Sequence, residues 1–313
     1  MIGWQLTGAH APLKLVELPD PQPGPGEIVV DPHATGLCHS DIGYQDGTLT
    51  GALGYLPIIL GHEIAGTVSA IGAGVDGFRI GDRVAIKAGI ETPGTRCNGG
   101  FATKVVSSAK FVVKIPDGLS FESAAVATDA GMTSYHAVII VGQVGPGSRV
   151  GVVGLGGVGL FGAQIAAAVG AKVYTAEPNA EARAAAAEFE FERYASDVSE
   201  LAGLELDVVV DFAGFGTTTA EAIKAVKPGG RVVQVGLGRS EATISITTLV
   251  INQVELVGSL GGTAEDLDAV LKLLSAGKIK PMISTMAFNE VPDGFQRLER
   301  GEVRGRLVAL INT

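Results

Sequence analysis

The stretch from residue 149 to residue 177 constrains the fold more than any other part of the chain. RVGVV at 149–153 reads as a buried strand, GLGGVG at 154–159 as a tight turn, and the apolar run 160–169 as a helix. No residue from 150 to 171 carries charge, so the segment is long enough to cross a bilayer. Seven glycines lie within it, and each would weaken a helix by about 1 kcal/mol relative to alanine. They argue against a membrane helix and for strand, turn and helix.

A second strand at 172–176 ends on Glu177, about 20 residues beyond the first glycine. In this setting the first glycine permits the turn, the second lets backbone approach a pyrophosphate, and the third allows the helix to pack on the strand. The helix N-terminus supplies amide donors. Gly154, Leu155, Gly156, Gly157, Val158 and Gly159 are therefore expected to cradle a dinucleotide. Glu177 can accept hydrogen bonds from ribose hydroxyls and would repel a 2′-phosphate, which favours NAD over NADP. Arg183, on the next helix, offers positive charge near the same ribose. Read blandly, the glycines merely turn a strand into a helix and Glu177 is an ordinary surface acid.

Around this unit, apolar strands alternate with Ala-rich helices from about residue 123 onward. That rhythm predicts an α/β, doubly wound parallel sheet with helices on both faces. The first hundred residues are instead punctuated by Pro and Gly, with short β-rich runs at 27–30 and 64–71, and predict a mostly β domain. A last β-rich run at 306–311 suggests that the chain returns to this first domain. The expected division is 1–130 with 264–313, and 131–263. A length of 313 residues suits roughly two domains. A net charge of −10 argues against nucleic acid or an anionic membrane as partner. Two isolated cysteines and no basic leader followed by an apolar run suggest a cytoplasmic protein.

GLCHSD at 36–41 and GHEIAG at 61–66 bring a cysteine and a histidine into one domain. Both suit zinc, and a catalytic zinc site needs three protein ligands with one position open. Taken singly, a cysteine is more often a small buried hydrophobe and a His-Glu pair an ordinary polar contact.

GLCHSD, GHEIAGTV, GDRV, GGFA and GLGGVG, in that order, resemble the zinc-dependent alcohol dehydrogenases of the medium-chain dehydrogenase/reductase superfamily, over nearly the whole chain. The resemblance implies a Rossmann sheet plus a GroES-like catalytic domain. It implies reversible hydride transfer between a small alcohol or carbonyl compound and NAD, in a homo-oligomer. Cys38 and His62 would bind the catalytic zinc. The third ligand precedes a TSYHA stretch in the family and is Cys in many members and acidic in others; here it falls on Asp129. Glu63 matches the acidic neighbour that can approach the metal from behind.

Ser40 matches the hydroxyl that takes the alcohol proton. Gly43 stands where the proton relay commonly ends in a histidine, so the proton must leave through water, Tyr44 or another group. His39 and Arg306 match contacts to the cofactor phosphates. Thr133, Phe212, Ala213, Val235, Gly236, Leu237, Ser259 and Leu260 match further cofactor contacts. Asp41 and His136 are read as structural. Relatives with a second, structural zinc carry four cysteines between GDRV and GGFA; residues 85–98 hold only Cys97, so no structural zinc is expected. The rival readings are a zinc-free quinone or enoyl reductase of the same superfamily, a polyol dehydrogenase with the same zinc, and a non-enzymatic NAD-binding protein. The Cys38, His62 and Asp129 set separates the first from the rest.

Overall fold

The structure is a computed structural model that describes residues 1–312. The chain forms two compact units, one of residues 1–132, 263–276 and 281–312, the other of residues 133–262 and 277–280. Residues 277–280, expected with the first unit, belong to the second, where Lys280 N donates to Gln164 Oε1 at 2.7 Å.

The chain begins with β1 (Ile2–Leu6) and β2 (Lys14–Glu17), then β3 (Glu27–Leu37), helix α1 (His39–Gln45), β4 (Ile58–Ile59), β5 (Glu63–Ile71), β6 (Arg83–Ile86), β7 (Val105–Ser108) and β8 (Val112–Lys114). β1 pairs antiparallel with both β2 and β4. β3 pairs antiparallel with β5 and β7, and β5 continues through β6 to β8. Ile28, Val30, Ile64, Val68, Val84 and Ile86 close one core of this unit, while Leu6, Leu37, Ile59, Phe101 and Leu307 belong to another. With apolar residues packed on both sides, β3 lacks a clean polar and apolar alternation, as buried strands do.

Helix α2 (Phe121–Val141) is long and apolar enough to cross a membrane by length and composition, yet 61% of its most apolar window is buried inside the protein. The uncharged segment 150–171 is not a single helix. It contains most of β9 (Arg149–Val153), the glycine turn, and α3 (Gly159–Ala168). There follow β10 (Lys172–Ala176), α4 (Ala180–Ala186), β11 (Arg193–Ala195), β12 (Leu206–Asp211), α5 (Thr217–Ala225), β13 (Val226–Gln234), α6 (Ile246–Ile251) and β14 (Glu255–Gly258).

Among the described residues these six strands form one parallel sheet in the order β11-β10-β9-β12-β13-β14. The order reverses between β9 and β12, the switch point at whose carboxyl edge a doubly wound sheet opens a crevice. β9 is buried over Val150 to Val153, and α3 is buried from Gly159 through Ala166, which explains why both read as apolar all round.

The return to the first unit starts at α7 (Ala264–Ser275). Its N-terminus is closed by a reciprocal cap: Asp266 N donates to Thr263 Oγ1 at 3.2 Å and Thr263 N donates to Asp266 Oδ2 at 2.9 Å. After β15 (Ile283–Ala287) and α8 (Val291–Glu299), β16 (Arg306–Leu310) inserts between β15, to which it is parallel, and β3, to which it is antiparallel.

Candidate metal and cofactor sites

Cys38 follows the end of β3 and caps α1. Its amide donates to Asp41 Oδ2 at 3.0 Å, so an acidic residue in the first turn satisfies an amide left free at the helix start. His62 lies between β4 and β5. Gly61 delivers it with φ at +90°, and a Cβ at that glycine would lie 2.8 Å from Phe101 N, so only glycine fits the turn. Asp129 comes from α2, which widens into a π turn over Ala127–Gly131. There Thr128 Oγ1 bonds back to Ala125 O at 2.6 Å and Thr128 O accepts from Ala88 N at 3.0 Å. Back-bonding of this kind distorts a helix, and such turns often mark functional positions.

These three elements bring one donor atom each from Cys38, His62, Glu63 and Asp129 to within 4.8 Å of one another. Cys38 Sγ lies 3.3 Å from Asp129 Oδ2, and His62 Nε2 lies 3.6 Å from the same oxygen. Bonds to zinc of 2.0–2.3 Å at tetrahedral angles place neighbouring ligand atoms about 3.3–3.8 Å apart. The donor set therefore fits zinc in spacing as well as in kind. A thiolate and a carboxylate would balance the charge of a divalent ion, with imidazole as the neutral third ligand.

Asp41, expected to be structural, does more than cap α1: its Oδ1 sits 3.3 Å from His62 Nδ1, and both residues are buried. Burial would depress the His62 pKa, but the nearby Asp41 charge, with the Asp129 and Cys38 side chains beside the ring, raises it well above its usual value.

The Arg306 guanidinium lies against the Glu63 carboxylate, and both are buried. Arg306, expected at the cofactor phosphates, is thus engaged with the acid next to the metal cluster. His39 is exposed at the start of α1, while desolvation and the Arg306 charge hold its pKa below the ordinary value. Ser40 Oγ lies 3.7 Å from Cys38 Sγ, at the edge of the cluster.

A Cβ at Gly43 would meet the tip of the Leu49 side chain at 2.8 Å, so a histidine there would require Leu49 to shift. Tyr44 sets its ring edge-on to His62, with centroids 6.4 Å apart, and burial pushes its phenol pKa up. It stays protonated at neutral pH and cannot serve as a base there.

In the second unit the glycine turn has the expected form. Gly154 has φ at +85°, and a Cβ at Gly159 would collide with the Gly154 carbonyl oxygen. Glu177 reaches the turn directly: Oε2 accepts from Leu155 N at 2.8 Å and Oε1 from Asn179 N at 2.9 Å. Arg183 donates to the backbone oxygens of Glu177 and Pro178. Phe212 and Ala213 pack against the glycine turn, the Gly162 position facing the Phe212 ring and the Gly154 position facing Ala213. Val235, Gly236 and Leu237 follow β13, and Ser259 and Leu260 follow β14. Leu237 and Leu260 are exposed at 77% and 80%. Thr133 is carried on α2.

Comparison with known proteins gives two family matches along the chain. Residues 24–117 match the family described as alcohol dehydrogenase GroES-like domain, and residues 157–276 that described as zinc-binding dehydrogenase. An alcohol dehydrogenase of Geobacillus stearothermophilus is 32% identical over 332 aligned positions, covering 96% of this chain and 97% of that one. The structure of acetophenone reductase from Geotrichum candidum, solved with NAD, superposes with a TM-score of 0.87 at 31% identity, covering 99% of this chain and 96% of that one. The alcohol dehydrogenase of Aeropyrum pernix gives a TM-score of 0.90 at 26% identity, covering 99% of this chain and all of that one.

Proposed function

Since the chain belongs to the zinc-type alcohol dehydrogenases of the medium-chain dehydrogenase/reductase superfamily, we propose that Cys38, His62 and Asp129 are the protein ligands of its catalytic zinc. The protein is an NAD-dependent alcohol oxidoreductase, interconverting an alcohol and a carbonyl compound. The observation that carries the ligand assignment is the meeting of Cys38 Sγ, His62 Nε2 and Asp129 Oδ2 at separations of 3.3 and 3.6 Å. Zinc, when bound, supplies a Lewis acid that lowers the pKa of an alcohol hydroxyl and polarises a carbonyl.

The chain's own residues do the rest. Asp41 holds the imidazole of His62 in orientation. Glu63, kept beside the cluster by Arg306, is a reserve carboxylate that can approach the metal. Ser40 accepts the alcohol proton, a role open to a hydroxyl because it both donates and accepts. The proton then leaves through water, the Tyr44 hydroxyl acting as a relay, or another group, since Gly43 has no side chain.

Residues 1–132, 263–276 and 281–312 form the catalytic domain in this reading, and 133–262 with 277–280 the NAD-binding domain. The glycine turn of residues 154–159 cradles the pyrophosphate through amides beyond those of Gly154 and Leu155, which Ala176 O and Glu177 already take, and Glu177 accepts from the adenosine ribose and selects NAD over NADP. Phe212, Ala213, Val235, Gly236, Leu237, Ser259, Leu260 and Thr133 supply apolar and backbone contacts, with Arg183, His39 and Arg306 as nearby charge. The substrate is a small alcohol or carbonyl compound.

A second copy of this chain is the expected partner. β14 is the end strand of its sheet, and Ile246, Val250, Ile251 and Leu256 expose apolar surface on and beside it. We place the protein in the cytoplasm, where its two free cysteines would remain reduced.

The deciding experiment measures zinc content and NAD-linked alcohol oxidation in the wild type and in Asp129→Ala. About one zinc per chain is expected in the wild type, with zinc and activity lost together in the variant. Full zinc occupancy in Asp129→Ala would remove Asp129 from the ligand set.

A further inference from the structure

Three turns of the second unit meet at the carboxyl ends of β9, β12 and β13: residues 154–159, 212–214 and 235–236. They pack backbone against backbone. A Cβ at Gly154 would lie 3.3 Å from Ala213 N, one at Gly236 would lie 2.5 Å from Ala213 C, and one at Gly214 would strike the Gly236 carbonyl. With so little side chain between them, their relative positions depend on the polar groups that tie the backbone segments together.

Asp211, the last residue of β12, is fully buried and joins the 212–214 and 235–236 turns, which flank the glycine turn. Its Oδ1 accepts from Ala213 N at 3.0 Å and Gly214 N at 2.8 Å, and its Oδ2 from Thr218 Oγ1 at 2.8 Å. Its backbone oxygen accepts from Val235 N and Gly236 N at 3.0 and 2.9 Å. Gln234, the last residue of β13, plays the matching part: Nε2 donates to Gly236 O at 2.8 Å, and its backbone oxygen accepts from Ser259 N at 2.9 Å. Thr219 joins the two. Its buried Oγ1 lies 3.0 Å from Asp211 Oδ2 and 2.9 Å from Gln234 Oε1, one proton being shared in a three-centre bond.

We propose that Asp211, Thr219 and Gln234 form a buried polar bracket that sets the spacing of the turns against which NAD binds, so that they act as positioning residues for cofactor affinity. The inference rests on NAD occupying the glycine turn. Hydrogen bonds to a carboxylate are short and strong, and in a dry interior they define backbone position more sharply than apolar packing does. Cofactor contacts made by backbone amides depend on that position, because an amide displaced by a fraction of an ångström cannot turn back toward its acceptor as a side chain could.

The test uses the full chain with Thr219→Val, which keeps the shape and removes the hydroxyl, and Thr219→Ser, which keeps the hydroxyl. NADH binding is read by fluorescence titration without substrate, and KM values for NAD and alcohol are measured separately. Thr219→Val is expected to weaken NADH binding about fivefold to tenfold, the size expected when a buried acceptor loses its donor. KM for NAD should rise by a similar factor and KM for alcohol should stay near wild type, while Thr219→Ser restores binding. Should Thr219→Val fail to fold, Gln234→Leu is read instead with the same expectation.

Wild-type NADH affinity in the folded valine or leucine variant overturns the bracket while leaving the NAD reading intact. So does an equal loss of alcohol and cofactor affinity, or a serine variant no better than valine. A wild-type protein that binds no NADH overturns both.

Discussion

Asp41 divides its carboxylate between two tasks: Oδ2 caps α1 at the Cys38 amide, 3.0 Å away, and Oδ1 faces His62 Nδ1 at 3.3 Å. One side chain thereby fixes the backbone that carries the first metal donor and the ring that carries the second. The Nδ1 contact is an electrostatic one without good hydrogen-bond alignment, since both atoms lack a well-directed partner. Closure of this pair on metal binding would complete a carboxylate–histidine–metal arrangement. Asp41→Asn should therefore lower zinc affinity by about 10–100-fold, measured by competition with a chromogenic chelator, with the far-UV spectrum unchanged.

The buried Glu63 and Arg306 pair responds differently to single and double replacement. Removing one partner leaves a buried charge alone, so Arg306→Met should cost about 3–5 kcal/mol of stability. Glu63→Leu combined with Arg306→Met should recover much of that loss, since a well-packed apolar pair avoids the desolvation cost. Urea denaturation of the single and double variants measures both. A double variant no more stable than Arg306→Met would show that the pair's charges, and not their desolvation, dominate.

Glu177 spends one hydrogen bond on each of two backbone amides, at Leu155 and Asn179. Its negative charge should disfavour a 2′-phosphate at that end of β10. Glu177→Gln keeps the shape and removes the charge, so the ratio of kcat/KM for NADP to that for NAD should rise about tenfold, or roughly 1.4 kcal/mol. Steady-state rates with both cofactors check it, and an unchanged ratio would move the discriminating charge elsewhere.

Burial, with a contribution from the Glu27 charge, pushes the Cys97 thiol from its usual 9.0 up to about 11. Between those values the unfolded chain loses this proton while the folded protein keeps it. The unfolded state is then favoured, so stability falls as pH rises through that window and is unaffected by Cys97 below it. Replacing Cys97 with alanine should flatten the decline between pH 9 and pH 11 in denaturation curves, without altering the slope near pH 7. In the native wild type, Cys97 should also resist iodoacetamide at pH 8, as read by mass spectrometry.

The strand, turn and helix at residues 149–168 were legible because local chemistry dictates them: an apolar run, glycines at positive φ or close approach, and an acid at the end of the next strand. Cys38, His62 and Asp129 could be named from motifs, but nothing local reveals that a π turn presents Asp129 to the other two. The pairing of Arg306 with Glu63 was not legible, because a motif position says nothing about which buried acid β16 will bring beside it. The reach of Asp41 to His62 was missed, and Thr219 and Gln234 were overlooked, for the same reason. Each looks like an ordinary cap or strand-end residue until pairing across helix and sheet shows which atoms it meets.

β16 has a bearing on how the protein is made. It follows the whole second unit in the chain, yet it sits between β15 and β3, inside the sheet that carries the cysteine and histidine of the metal cluster. On the ribosome, Cys38, His62 and Asp129 must wait in an unfinished sheet while the intervening second unit is translated and can already fold. Arg306 cannot reach Glu63 until β16 has been translated, so the unit that holds the metal cluster closes only after the second unit has been made.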